Sequence, residues 1–286
     1  MNIINCSELT PELARSGCMV KNMPNEDYHA YEGISKSGLD KIAKSPAHFM
    51  FDARKPAKRN LELGTALHTA VLEPNRYKEE YVILNGIKAR TASEYKQAVK
   101  VHGSELVLIE NEAAHIASIQ ETAFSQIDIA SELVGCDLFE LSGFKEINGV
   151  LCRIRIDALN SKDRIIVDLK TTQSSARDEF SKSVFNYRYH VQDAFYSMVY
   201  EAITGEPLEA FKFLAVENEP PHCPMVYELD QEAKQYGLQD AMRDLLTFKR
   251  ASDSQEWKGY EQTNEPLTLP NWALARYETE LEEGIV

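Results

Sequence analysis

No run of apolar residues approaches the roughly 18 that a membrane-crossing helix requires, so a helical membrane span is excluded. The first twenty residues carry Glu8, Glu12 and Arg15 and no continuous apolar stretch, and they are not expected to serve as a secretory leader. Cysteine is sparse: Cys6, Cys18, Cys136, Cys152 and Cys223 are odd in number and widely spaced. They form no CxxC pair, so neither a zinc ribbon nor an iron–sulfur cluster is expected, and a reducing cytoplasm is the natural setting. Internal repeats and low-complexity tracts are absent. Basic charge is short as well. The 31 lysines and arginines stand against 45 acids, a net of −14, which at face value speaks against a nucleic-acid partner.

What is present is an ordinary globular composition, 43% hydrophobic and 27% charged, in 286 residues, enough for one large domain or two small ones. The charge is uneven. Residues 36–59 hold seven basic side chains against two acids, a net of +5, whereas residues 251–286 hold eight acids against two bases. Periodicity predicts helices over 35–43, 61–72, 94–100, 111–133, 191–203 and 231–250. It predicts strands over 140–144, 149–159, 164–169, 210–216 and 225–229, with Asn148-Gly149 as a tight hairpin turn. Helices, a β-meander, a helix and further strands in that order predict an α/β (α+β) domain with a mixed central sheet flanked by helices.

The chemistry concentrates in Arg153-Ile-Arg-Ile-Asp157 and Arg164-Ile-Ile-Val-Asp168-Leu169-Lys170. Residues i and i+2 of a strand share a face, so Asp168 and Lys170 point the same way, and Asp157 joins them if the two strands pair. Two carboxylates and a lysine on one sheet face suit a Mg²⁺-dependent phosphodiesterase, in which hard oxygen ligands hold the ion and the lysine stabilises developing charge. The spacing [DE]-x-K alone says little. It recurs at Glu94/Lys96, Glu232/Lys234 and Glu256/Lys258, where a solvated pair is the plainer reading. Gly64 and His68 lie one helical turn apart, and so do Gln192 and Tyr196. Singly, each of these two pairs reads as helix packing.

In series, GxxxH, RxD, DxK and QxxxY resemble the RecB-like branch of the PD-(D/E)xK nuclease superfamily. Met23-Pro-Asn-Glu-Asp-Tyr-His-Ala, Ile34-Ser-Lys-Ser-Gly-Leu, Leu63-Gly-Thr-Ala-Leu-His-Thr-Ala-Val-Leu-Glu-Pro74, Gly149-Val-Leu-Cys-Arg153 and the closing Leu267-Thr-Leu-Pro-Asn-Trp-Ala273 narrow the resemblance to RecE-type exonucleases (exonuclease VIII). It implies an extension over 1–22, a nuclease domain over 23–273 and an acidic tail over 274–286. It also implies that His68, Asp157, Asp168 and the Leu169 backbone carbonyl bind Mg²⁺, with Mn²⁺ as a substitute. Lys170 is then catalytic, and Gln192 and Tyr196 lie near DNA and the active site. Glu140 matches a further acidic metal position, for which Glu146 competes. The superfamily often has proline before its first aspartate, where this chain has Ile156. The implied activity is 5′→3′ degradation of linear double-stranded DNA to leave 3′ single-stranded overhangs. The implied setting is recombination, with a ring-shaped tetramer and a RecT-like annealing partner.

On that reading Lys41, Lys44, Arg54, Lys55, Lys58 and Arg59 are expected to line the DNA path and neutralise phosphates. Three other readings compete: a different RecB-like nuclease, endonucleolytic or of the iron–sulfur type; a non-catalytic recombination scaffold; and an acidic protein-interaction module. The cysteine set disfavours the iron–sulfur type, and intact Asp157, Asp168 and Lys170 disfavour a scaffold.

Overall fold

A computed structural model describes residues 2–52, 59–261 and 265–282, and among them all side chains except those of 127–130. The described residues build a mixed seven-stranded sheet. Its strands are β1 (Ile3–Asn5), β2 (Cys18–Lys21), β5 (Leu138–Ile147), β6 (Val150–Asn160), β7 (Ile165–Thr172), β8 (Ala210–Glu217) and β9 (Pro224–Glu228), in that spatial order. The pairs β1/β2 and β7/β8 are parallel and the rest antiparallel. A small separate sheet joins β3 (Val82–Leu84) to β4 (Val107–Ile109).

Alternation along the strands feeds two apolar layers. On β8, Phe211, Phe213 and Ala215 enter one core, while Leu214 and Val216 enter the other. The first core is closed by α3 (Lys36–Lys44), α10 (Arg177–Asn186), α11 (Tyr189–Thr204) and α12 (Gln231–Ser254), through Leu39, Phe180, Phe195 and Leu245 among others. The second is closed by α5 (Arg59–Leu72) and α8 (Glu110–Ser125), through Ala66, Leu67, Ala70, Ile116 and Ile119. Each large side chain buried in this way contributes about 1.5–3 kcal/mol. The result is helices on both faces of a mixed sheet, as the element order predicts.

The hairpin is where the sequence places it. Asn148 and Gly149 both have positive φ, 52° and 76°, the backbone that a two-residue turn between twisted strands demands. Three differences stand out. The helix expected over 111–133 is two, α8 and α9 (Ile127–Val134). The polar stretch after Ala251 contains α13 (Asn271–Glu282), whose mixed surface gave no apolar stripe to read. Residues before Met23, expected as an extension, enter the sheet: Cys18, Met19 and Val20 pair with Phe144, Gly143 and Ser142. Ala14, Cys18 and Val20 then join Tyr28, Phe144 and Leu151 in a further buried cluster. Strands this short carry too few residues for alternation to register.

Candidate active site

The site opens where β6 and β7 part. Their pairing runs over Asn160↔Ile165, Leu159↔Ile166 and Ala158↔Val167 and stops there, although β7 continues beside β8 as far as Thr172. The next pair in register would be Asp157 and Asp168. Instead the Asp157 carboxylate lies in the gap, where its Oδ2 accepts the Leu169 N–H at 2.9 Å. The N–H and C=O of a strand residue point to the same edge, so the Leu169 carbonyl faces that gap too.

Neighbouring elements deliver the other groups. From α5, His68 brings Nδ1 to 3.4 Å from Asp157 Oδ2. On β5, Phe139 pairs with Ala158 and Leu141 with Ile156, which sets Glu140 opposite Asp157. Glu140 holds φ at 49°, an unfavourable backbone for a residue with a Cβ. One ligand atom each from His68, Glu140 and Asp157 lie within 4.8 Å of one another. An imidazole and two carboxylates so gathered fit a divalent cation of the Mg²⁺ or Mn²⁺ type. Asp168 turns the other way: its Oδ2 lies 2.5 Å from Lys170 Nζ, and its Oδ1 accepts Gln192 Nε2 at 2.5 Å. Asp157 and Asp168 therefore take different direct partners, from α5 in one case and α11 in the other, while the Asp168 charge still bears on Asp157 and both bear on Lys170. The i,i+2 pleat puts Asp168 beside Lys170, and Asp157 approaches them from beyond the end of the β6/β7 pairing.

Electrostatics follow from that crowding. Burial and the charges of Asp168 and Glu140 push the Asp157 carboxyl well above the usual range. Burial draws Lys170 down, but Asp168 and Asp157 outweigh it and leave the ammonium more firmly protonated than usual. Burial, together with Lys170, holds His68 towards its neutral form. Tyr196, one turn beyond Gln192, is buried between Phe195 and Phe211. Its phenol is raised well above normal, first by burial and then by Tyr28, Asp168 and Asp157, with the Arg155 backbone opposing.

The sequence model of a family described as "PDDEXK-like domain of unknown function (DUF3799)" matches residues 35–265. The chain belongs to this PDDEXK-like family. No curated protein matches it. Among solved structures, a "putative exonuclease" from Eubacterium rectale is 16% identical, with coverage of 89% of this chain and 97% of that one and a TM-score of 0.62, which places the two in one fold. A protein designated SSO0001 is 17% identical over 68% of this chain and 88% of its own, with a TM-score of 0.28.

The PDDEXK-like domain keeps the expected residues together except on the basic stretch. Arg59 is engaged within the fold. Its guanidinium is taken up by Glu112, by Glu62 at 2.9 Å and by the Ser104 and Val107 carbonyls, so its charge is spent on tying α5 to α8. Lys41 pairs with Asp52 at 2.6 Å, and Lys44 is exposed. Arg54, Lys55 and Lys58 lie outside the described residues. Glu146, the rival of Glu140, sits away from the site in an ion pair with Arg15 at 2.6 Å. Gly64 has open space before it and borders a cleft of about 580 Å³ that His115, Thr171 and Asn218 also line.

Two neighbours went unread in the sequence, and a third, Arg155, was read only as part of the RxD motif. Arg155 donates from Nε to Glu140 Oε2 at 2.6 Å. Its i,i+2 spacing from Asp157 was the available signal. Tyr189 lies under Lys170, its ring centroid 4.8 Å from Nζ, and Lys36 approaches the same ring at 5.8 Å. Both depend on how α3 and α11 meet, which no local pattern encodes.

Next to Gln192, Asp193 is buried. Burial raises its carboxyl from 3.8 to about 6, Lys234 and Ser197 opposing and Glu228 assisting. Between those two values the folded carboxyl keeps a proton that the unfolded one releases, so stability falls as pH rises through this window. Asp193→Asn is expected to stabilise the protein by roughly 2–3 kcal/mol above about pH 6 and by nothing below about pH 4. Thermal melts of both proteins across that range check this.

Proposed function

We propose that the chain is a RecE-type exodeoxyribonuclease that uses Mg²⁺, or Mn²⁺ in its place, to degrade linear double-stranded DNA 5′→3′ and leave 3′ single-stranded overhangs. The observation that carries this reading is the meeting of His68, Glu140, Asp157, Asp168, Lys170 and Gln192 at the parting of two strands. His68, Glu140, Asp157 and the Leu169 carbonyl would hold the cation, with Asp168 beside them. A bound divalent cation supplies a more acidic water and offsets charge on the phosphoryl oxygens. Lys170, fixed by Asp168, presents an ammonium to the attacking water or to a phosphate oxygen as charge develops there. Gln192 holds Asp168 in place, so the lysine is aimed from two sides. The Leu169 N–H and His68 fix the Asp157 carboxylate.

A ring-shaped tetramer around DNA, a RecT-like annealing partner and a bacterial or phage-infected cytoplasm complete the proposal. These rest on the motif resemblance.

Linear duplex labelled at either end and covalently closed circular duplex, each with Mg²⁺ or chelator, test the reading. Linear DNA alone should be degraded, only with Mg²⁺, and the 5′ label should be released first. Cut circles would mark an endonuclease. Intact linear DNA would leave a DNA-binding scaffold.

A further inference from the structure

The corner between α10 and α11 sets aromatic rings beside the lysine for which the site chemistry gives no reason. Arg188 sits at that corner with φ of 55°. Its guanidinium is drawn inward onto Asp244, and onto Asp40 at 3.1 Å. Lys36 fixes the corner a second time, donating from Nζ to the Tyr187 carbonyl at 2.6 Å. With Arg188 committed to the interior, its two neighbours stack ring on ring: Tyr187 and Tyr189 lie 5.7 Å apart at 25°. Tyr189 is the ring against which Lys170 and Lys36 rest. Tyr187 is 62% exposed and Phe185, two residues earlier, 75%.

An aromatic stack thus runs from the lysine of the site to solvent, with two ammonium groups at its inner end. We propose that Tyr187 and Tyr189 form a stacking platform for an unpaired base at the end of the DNA strand being cut. This rests on the nuclease reading above and deepens it. Tyr189 is itself stacked between Tyr187 and Phe213, so it backs the platform, and the exposed face of Tyr187 receives a base of the strand whose phosphate is drawn to Lys170. Every base has a π-face, so the platform is indifferent to sequence, as an enzyme that digests whatever end it meets requires. Lys36, paired with Asp40 at 2.8 Å and bonded to the Tyr187 carbonyl, holds the platform in place.

Binding of a fluorescein-labelled blunt duplex, measured by anisotropy in chelator so that nothing is cut, tests the platform. Tyr187→Ala should weaken binding by roughly fivefold to a hundredfold, the range that base–aromatic stacking supports. Tyr187→Trp should bind like wild type. With abasic residues replacing the two terminal nucleotides of the 5′ strand, wild type and Tyr187→Ala should bind alike. Tyr187 is exposed, so an unchanged melting temperature confirms that the variant is folded. Equal binding of the intact duplex by wild type and Tyr187→Ala, while wild type still degrades linear DNA, would overturn the platform alone and leave the rings to a protein partner. Wild type that neither binds nor cuts linear duplex would overturn the nuclease reading and the platform with it.

Discussion

Asp157→Asn should melt at a higher temperature than wild type in chelator and yet lose cleavage almost completely. Burial opposes the ionisation of Asp157 first, and the neighbouring charges of Asp168 and Glu140 oppose it further. Asparagine has the same shape, still accepts the Leu169 N–H, and removes one of the crowded charges. Each kcal/mol so gained raises the melting temperature of a domain near this size by about 2–4 °C. The same change would remove a hard anionic oxygen from the donor set proposed for the cation. The loss is expected at about a thousandfold or more, several kcal/mol of transition-state stabilisation at 1.36 kcal/mol per factor of ten. Added Mg²⁺ should reverse the order of the melts, since it stabilises the wild type by mass action and the variant much less. Scanning calorimetry with and without Mg²⁺, beside the cleavage assay, checks both halves. A variant that melts below wild type in chelator would mean that the carboxylate is structural.

Gly237→Ala is the second large effect. Gly237 lies in α12, where an added Cβ would stand 2.1 Å from the His190 carbonyl oxygen and 2.6 Å from its carbon, both backbone atoms of α11. Two effects compete. Helix propensity favours alanine over glycine by up to about 1 kcal/mol. Overpacking typically costs 1–3 kcal/mol, and here it is expected at about the upper end or beyond, because backbone cannot rotate away. Sterics win, and α12 must move off α11. That helix holds Gln192 against Asp168, so cleavage should fall together with stability. Urea unfolding and the linear-DNA assay report the two. A melting temperature equal to or above that of wild type would show that the helices separate without cost.

These effects set out what the sequence could disclose. The strands carrying Asp157, Asp168 and Lys170, and the helices carrying His68 and Gln192, were legible because apolar periodicity and the Asn148-Gly149 turn are local signals. That Gln192 reaches Asp168 and that Glu140 faces Asp157 are matters of packing and register, which appear only once β5, β6 and α11 are assembled. Arg59 shows the opposite error. Summed along the chain it belongs to a basic stretch, but Glu112, 53 residues away, comes back across the fold and takes its charge. A linear charge count cannot see that return. The parting of β6 from β7 was equally invisible, since each strand reads as a complete strand.

The short strand before Met23 has a consequence for anyone who trims this protein. A fragment cut to residues 35–265, the span that the family shares, would lose β1 and β2 and leave β5 as the outer edge. Ser142, Gly143 and Phe144 would then offer open backbone groups beside an unsheathed phenylalanine, a template on which a second molecule can add a strand. Such a fragment would keep every active-site residue and still tend to clump. Poor behaviour of the trimmed form would therefore say nothing about whether the whole chain works on DNA.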